Sequence, residues 1–167
     1  MAKKIAIYPG TFDPFTFGHL DVVKRASKLF EKIIISVAEN KNKNSLFNVN
    51  ERKEIIKKVI VEESGLDNIE ITGFTGLLVD HVKENKAIAV LRGLRALSDF
   101  EYEFQLAGMN RKLMPEADTI FLPTSEKYTY ISSSLVREIA KFGGDITDFV
   151  PKIVKNVLID KLAASSR

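Results

Sequence analysis

The chain has 167 residues, of which 45% are hydrophobic and 28% charged, and a net charge of +3. That size and balance suit one globular domain, 1–167, with a real core and a mild preference for small anionic ligands. The lack of cysteine excludes disulfides and thiolate metal sites and fits a cytoplasmic location. No apolar run nears the roughly 20 residues of a membrane span, no cleavage site follows the short apolar start, and no basic tract argues for nucleic acid.

Taken in chain order, "KIAIY" reads as a short apolar strand. The stretch "GTFDPFTFGHLD", Gly10 to Asp21, leaves it and opens a helix near His19, with Leu20, Val22, Val23, Ala26, Leu29 and Phe30 on one face. "KIIISVA" is a continuous β-branched run, the mark of a strand covered on both faces. "NERKEIIKKVIVEES" is a helix with Asn50 as N-cap and Glu51 in its first turn. "IEITGF" is a strand, "LLVDHVKEN" a helix and "AIAVLRG" a strand. "SDFEYEFQLAGMNRKLM" is a long helix closed by Pro115, and "DTIFLP" is the fifth strand. "SSLVREIAKF" is a helix ended by Gly143 and Gly144. "VPKIVKNVLIDKLA" is the last helix, with Pro151 in its first turn, and residues 160–167 are expected to fray.

Five strands alternating with helices predict an α/β fold: a Rossmann-like, doubly wound, five-stranded parallel sheet with helices on both faces. Ligands in such sheets bind beyond the carboxyl ends of the strands, where the strand order reverses. The stretches that follow strands are 9–19, 39–47, 73–78, 92–95 and 123–134.

Three of these suit phosphate, although neither common glycine-rich phosphate loop is present. Thr16, Phe17 and Gly18 lead into a helix N-terminus, which favours anions and the neutral form of His19. Gly18 lets a phosphate approach the backbone. The alternative for His19 is merely to cap the helix or pack at its start. Arg92 and Arg95 in "RGLR" offer guanidinium forks; the alternative is simple pairing with Asp99, Glu101 or Glu103. Ser132, Ser133 and Ser134 precede a second helix, where Ser133 is a plausible N-cap. No histidine cluster suits a metal, since His81 is the only other histidine and reads as structural or solvated.

"GTFDPFTFGH" and "ISSSLVRE" resemble the two signatures of the nucleotidyltransferase superfamily that carries a T/H-x-G-H motif. With "RGLRALSDFEYEFQLAGMNRKLMPE" and "YISSSLVREIAKFGGDIT", the chain closely resembles the bacterial phosphopantetheine adenylyltransferase family over nearly its whole length. That resemblance implies transfer of AMP from ATP to 4′-phosphopantetheine, giving 3′-dephospho-coenzyme A and pyrophosphate. It places Thr11 and Phe12 where the substrates meet, with Thr11 touching both. It gives ATP His19, Gly93, Leu94, Arg95, Glu103 and the run Tyr128, Thr129, Tyr130, Ile131, Ser132, Ser133 and Ser134. It gives phosphopantetheine Lys43, Leu78 and Arg92, and the catalytic set His19, Lys43 and Arg92. It also implies Mg²⁺ held mainly by substrate phosphates, with no protein metal site, feedback inhibition by coenzyme A and a homohexamer. The chain departs from the family in Phe17, where asparagine is common, in an asparagine-rich loop around residues 40–44, and in lacking a tryptophan near Tyr128. Two rival readings remain: a cytidylyltransferase or another adenylyltransferase, and a non-catalytic nucleotide-binding protein on the same fold.

Overall fold

The computed structural model describes residues 4–39, 42 and 44–165, the side chains of Leu97 and Ser98 excepted. Five strands, β1 (Ile5–Gly10), β2 (Lys32–Ala38), β3 (Ile69–Phe74), β4 (Ala89–Leu94) and β5 (Asp118–Pro123), form one parallel sheet in the order β3-β2-β1-β4-β5. The helices are α1 (Phe17–Ala26), α2 (Val49–Val59), α3 (Leu78–Glu84), α4 (Leu97–Leu113), α5 (Ser133–Lys141) and α6 (Lys152–Ser165). The chain steps outward from β1 to β3, then crosses back to lay β4 on the other side of β1.

Alternation along the strands sorts the core onto two faces. Tyr8, Ile33, Ile35, Val37 and Leu91 point to the side covered by α1, α2, α5 and α6, where they meet Val23, Ile56, Val136 and Leu158. Ile7, Ile34 and Val90 point to the other side, against Val79 and Val82 of α3 and Met114 beyond α4. Both faces of β1 and β2 are therefore buried, which is why their sequences are apolar without interruption.

Several boundaries differ from the sequence reading. The N-cap of α2 is Asn48, not Asn50: its side chain accepts the Glu51 N–H at 2.9 Å, and the Glu51 carboxylate accepts the Asn48 N–H at 2.8 Å. The first helix ends at Ala26, so Leu29 falls in the following turn and is exposed. The expected frayed tail is helical through Ser165. It is tied down by Lys161, 2.7 Å from Glu51, and by Leu162 packed on the core.

His81 is buried in α3, 2.9 Å from the Ser36 hydroxyl and stacked on Phe74 at 4.7 Å. Of the two readings the sequence left open, structural or solvated, the structure shows the first.

Candidate active site

The strand order reverses between β1 and β4, and their carboxyl ends open a cleft of about 500 Å³. Thr11, Phe12, Thr16, Gly18 and His19 come to it from the β1–α1 turn. Arg92, Gly93, Arg95 and Glu103 come from β4 and α4, and Ile131, Ser132, Ser133 and Ser134 from the start of α5.

His19 is aimed by the cap of its own helix. Thr16 is the N-cap of α1, and the Nδ1 atom of His19 accepts the Thr16 backbone N–H at 3.0 Å. The Thr16 hydroxyl lies 3.2 Å from the same nitrogen and accepts the His19 N–H at 3.4 Å. A backbone amide only donates, so Nδ1 must be the unprotonated nitrogen of a neutral ring. The proton sits on Nε2, the edge left for the cleft. Capping and function are thus one arrangement here, with imidazole in the role usually taken by Glu or Gln. Burial lowers the His19 pKa to about 3, and the Arg95 charge adds to the effect. Neutrality was expected from the sequence, but burial is its leading cause. Phe12 and Phe15 buttress the ring at centroid distances of 5.0 and 5.4 Å. Phe12 itself holds a φ of 53°, in the left-handed region. It can fold back over β1 because residue 10 is glycine: a Cβ there would come within 2.7 Å of its ring.

Both arginines make the carboxylate pairs weighed for them, and they make them inside the cleft. Arg92 is gripped by Glu103 through two bonds of 2.6 and 2.5 Å. Burial opposes its charge, but the Glu103 carboxylate outweighs burial and holds the guanidinium pKa above its ordinary value. Arg95 donates to Asp99 at 3.1 Å and to the Ile131 carbonyl at 3.0 Å, joining the β4 end to the serine run. The N-cap of α5 is Ser132 rather than Ser133, accepting the Leu135 N–H at 3.2 Å. Ser133 donates instead to the Pro14 carbonyl at 2.7 Å, closing α5 onto the first turn.

The other expected site residues lie elsewhere. Leu78 starts α3 and packs against the second core face. Leu94 is not part of the cleft lining, and its carbonyl accepts the N–H of Thr124, which is, at 2.9 Å. Tyr128, Thr129 and Tyr130 also fall outside that lining, with Tyr128 stacked on Phe17 at 6.1 Å and Tyr130 exposed. Phe17, the departure from the family pattern, therefore braces the segment the resemblance assigns to ATP. Lys43 lies outside the described residues.

Four positioning groups escaped the sequence reading. Asp13 is buried and accepts the Leu46 and Phe47 N–H groups at 2.8 and 3.0 Å, fixing the loop after β2. Arg52 is buried and donates to the carbonyls of Thr11, Ala38 and Phe47 at 2.6, 3.0 and 3.0 Å. Asp21 accepts the Ser125 N–H and hydroxyl at 3.1 and 2.7 Å. Arg137 reaches the Asp13 carbonyl. Each sits in a motif or an amphipathic helix, but its partner is 33 or more positions away in the bonds from Asp13, 104 in those from Asp21 and 124 in that from Arg137. Local spacing carries no trace of such pairings.

No group of three histidine, cysteine, aspartate or glutamate side chains among the described residues could hold a metal ion. The cleft carboxylates already have partners: Asp13 the Leu46 and Phe47 amides, Asp99 Arg95 and Glu103 Arg92.

Helix N-termini, an aimed neutral imidazole and two guanidinium groups around one crevice define a nucleotidyl-transfer site, and the cytidylyltransferase-like family model matches residues 7–139. The fold is shared with the bifunctional NMN adenylyltransferase/ADP ribose pyrophosphatase of Francisella tularensis, at a TM-score of 0.74 and 18% identity, covering 97% of this chain and 50% of that one. Plasmodium falciparum nicotinic acid mononucleotide adenylyltransferase shares it at 0.60 and 21% identity, covering 99% and 97%. Sequence likeness is far closer to the phosphopantetheine adenylyltransferase of Alkaliphilus metalliredigens, 51% identical over 95% of this chain and 99% of that protein. The enzyme of the same name from Aromatoleum aromaticum is 52% identical over 98% of both chains. The chain belongs to the phosphopantetheine adenylyltransferase family.

Proposed function

We propose that the chain transfers AMP from ATP to 4′-phosphopantetheine, giving 3′-dephospho-coenzyme A and pyrophosphate, the penultimate step of coenzyme A biosynthesis. The supporting observation is the neutral His19, locked by Thr16 with its Nε2–H toward a cleft flanked by Arg92 and Arg95. The reading is strengthened by the 51% identity to a whole phosphopantetheine adenylyltransferase.

An oxygen of the 4′-phosphate attacks the α-phosphorus of ATP in line. A new P–O bond forms, the α–β bridging P–O bond breaks, and its electrons leave on pyrophosphate. No side-chain nucleophile is needed, so catalysis is positioning plus charge stabilisation. His19 Nε2–H donates to a non-bridging α-oxygen as charge builds there. Arg92, with Lys43, holds the attacking phosphate. Glu103 fixes the direction of the Arg92 fork before substrate arrives. Arg95, Ser133 and Ser134 steady the leaving pyrophosphate, and Thr11 stands where the two substrates join.

The donor set suits Mg²⁺ carried on substrate phosphates and water rather than caged by carboxylates. Bound there, the ion would spread phosphate charge; no step above depends on it. The product-like coenzyme A would compete for the same cleft. The bare apolar side chains of α4, Tyr102, Phe104 and Met109, suit assembly into a homohexamer in the cytoplasm.

The test is pyrophosphate release with ATP, Mg²⁺ and phosphopantetheine, repeated with His19→Ala. A loss of about a hundredfold in kcat is expected, comparable to removing one oxyanion-type donor. Near-wild-type kcat in a folded variant would remove His19 from this role.

A further inference from the structure

Tyr8, on β1, lies under the cleft and has no part in the mechanism above. Its side chain is 5% exposed and lines the cleft beside Arg92, Gly93 and Arg95. Its ring is fixed from one side by Phe12, edge-on at 5.3 Å, and by His19 at 6.5 Å. Its hydroxyl makes no hydrogen bond within the protein among the described residues. That is unusual company. The Ser36 and Thr16 hydroxyls, the Asp13 carboxylate and the Arg52 guanidinium are all buried too, and each has a protein partner. The fully buried side-chain donor without a partner among the described residues is Arg25 Nε, so the Tyr8 oxygen keeps an opening onto the cleft, and a group bound there can supply its bond.

Gly93 keeps the path to that hydroxyl open. A Cβ at residue 93 would lie 3.8 Å from the Tyr8 oxygen and 3.3 Å from Val22 Cγ2. A side chain there would crowd the hydroxyl from that side. Burial holds the Tyr8 pKa far above that of a free phenol, so the group stays a neutral O–H donor at every working pH. It therefore offers an anion a donor without adding charge. Arg92 and Arg95 line the cleft beside it, so an oxygen bound there belongs to a negatively charged group.

We propose that the Tyr8 hydroxyl donates a hydrogen bond to a phosphate oxygen of the bound nucleotide, making Tyr8 a further binding residue of the nucleotide subsite. The inference rests on the adenylyltransferase reading for the identity of the nucleotide, and on the Tyr8–Gly93 geometry for the contact.

Tyr8→Phe keeps the ring and removes one oxygen. ATP, pyrophosphate and adenosine binding would be measured by calorimetry for wild type and Tyr8→Phe, alongside steady-state kinetics and thermal unfolding. ATP affinity should fall about 10- to 100-fold, the range for a hydrogen bond to a charged acceptor. Adenosine affinity, the KM for phosphopantetheine and the unfolding temperature should stay within twofold or within error. Gly93→Val, which crowds the hydroxyl, should give an equal or larger loss for ATP. Unchanged ATP binding in Tyr8→Phe would overturn the proposal. An equal loss for ATP and adenosine would overturn it as well, since the contact would then be to the ribose or base. If the wild type binds ATP but transfers nothing to phosphopantetheine, the functional reading fails and the binding comparison still judges Tyr8.

Discussion

At the scale of single residues, the site depends on which nitrogen of His19 carries the proton. Thr16 decides it, because its backbone N–H reaches Nδ1 at 3.0 Å. Thr16→Val removes the hydroxyl from Nδ1 but keeps the amide, so kcat should fall modestly, by about 3- to 10-fold, the net worth of one ordinary hydrogen bond. The imidazole should stay neutral well below pH 6, because burial and Arg95 hold its pKa near 3. A proton-detected titration of the two histidines would check this: the His19 ring signals should not move between pH 8 and 5. The rate profile should correspondingly lack a His19 inflection near 6.5. The presence of His19 at a post-strand helix start was legible in the sequence. Its tautomer was not, since that depends on an imidazole standing in for glutamate in a capping box. The Arg92–Glu103 grip was half legible: Glu103 was one of three carboxylates weighed as partners for the arginines, and local spacing does not choose among them. Glu103→Gln should raise the KM for the phosphate acceptor more than it lowers kcat, because it frees the fork without removing it.

At the scale of elements, the β1–α1 turn is the hub to which other segments are tied. Asp13 holds the loop after β2, Ser133 and Arg137 bring in α5, and Asp21 holds the end of β5 through Ser125. These ties join the segments that follow β1, β2 and β5. Asp13→Ala strands two amide donors, of which Phe47 N is buried, and should cost about 1–3 kcal/mol in urea unfolding. Asp21→Ala should instead raise the KM for ATP several-fold with little change in stability, as Ser125 leads into the 126–134 segment. The strands and helices themselves were readable, because β-branched runs and 3.6-residue periodicity are local signals. The ties were not, because Asp13 and Arg137 meet at a separation of 124 residues. The end of α6 shows the same cause: its last turns hold through Lys161 and Glu51, 110 residues apart.

At the scale of the whole molecule, the order β3-β2-β1-β4-β5 is what creates the crevice, and it follows from strand–helix alternation only once the position of the crossover is known. Both histidines have lowered pKa values, chiefly through loss of solvent around the ring. The unfolded chain therefore binds more protons than the folded one below about 6.5, and stability falls as pH drops through that value toward 3. The urea midpoint should decrease from pH 7 to 5, and the decrease should shrink in the His19→Gln/His81→Gln variant. On the outer surface, α4 presents Tyr102, Phe104 and Met109 to solvent. Light scattering should give a hexameric mass for the wild type and a smaller one for Phe104→Glu/Met109→Glu. The measurement that bears most directly on the central claim is turnover with defined substrate pairs. Purified protein with ATP, Mg²⁺ and 4′-phosphopantetheine should yield equal amounts of pyrophosphate and 3′-dephospho-coenzyme A, and none of either with CTP and glycerol 3-phosphate. Turnover of the second pair, or ATP binding without transfer to phosphopantetheine, would contradict it.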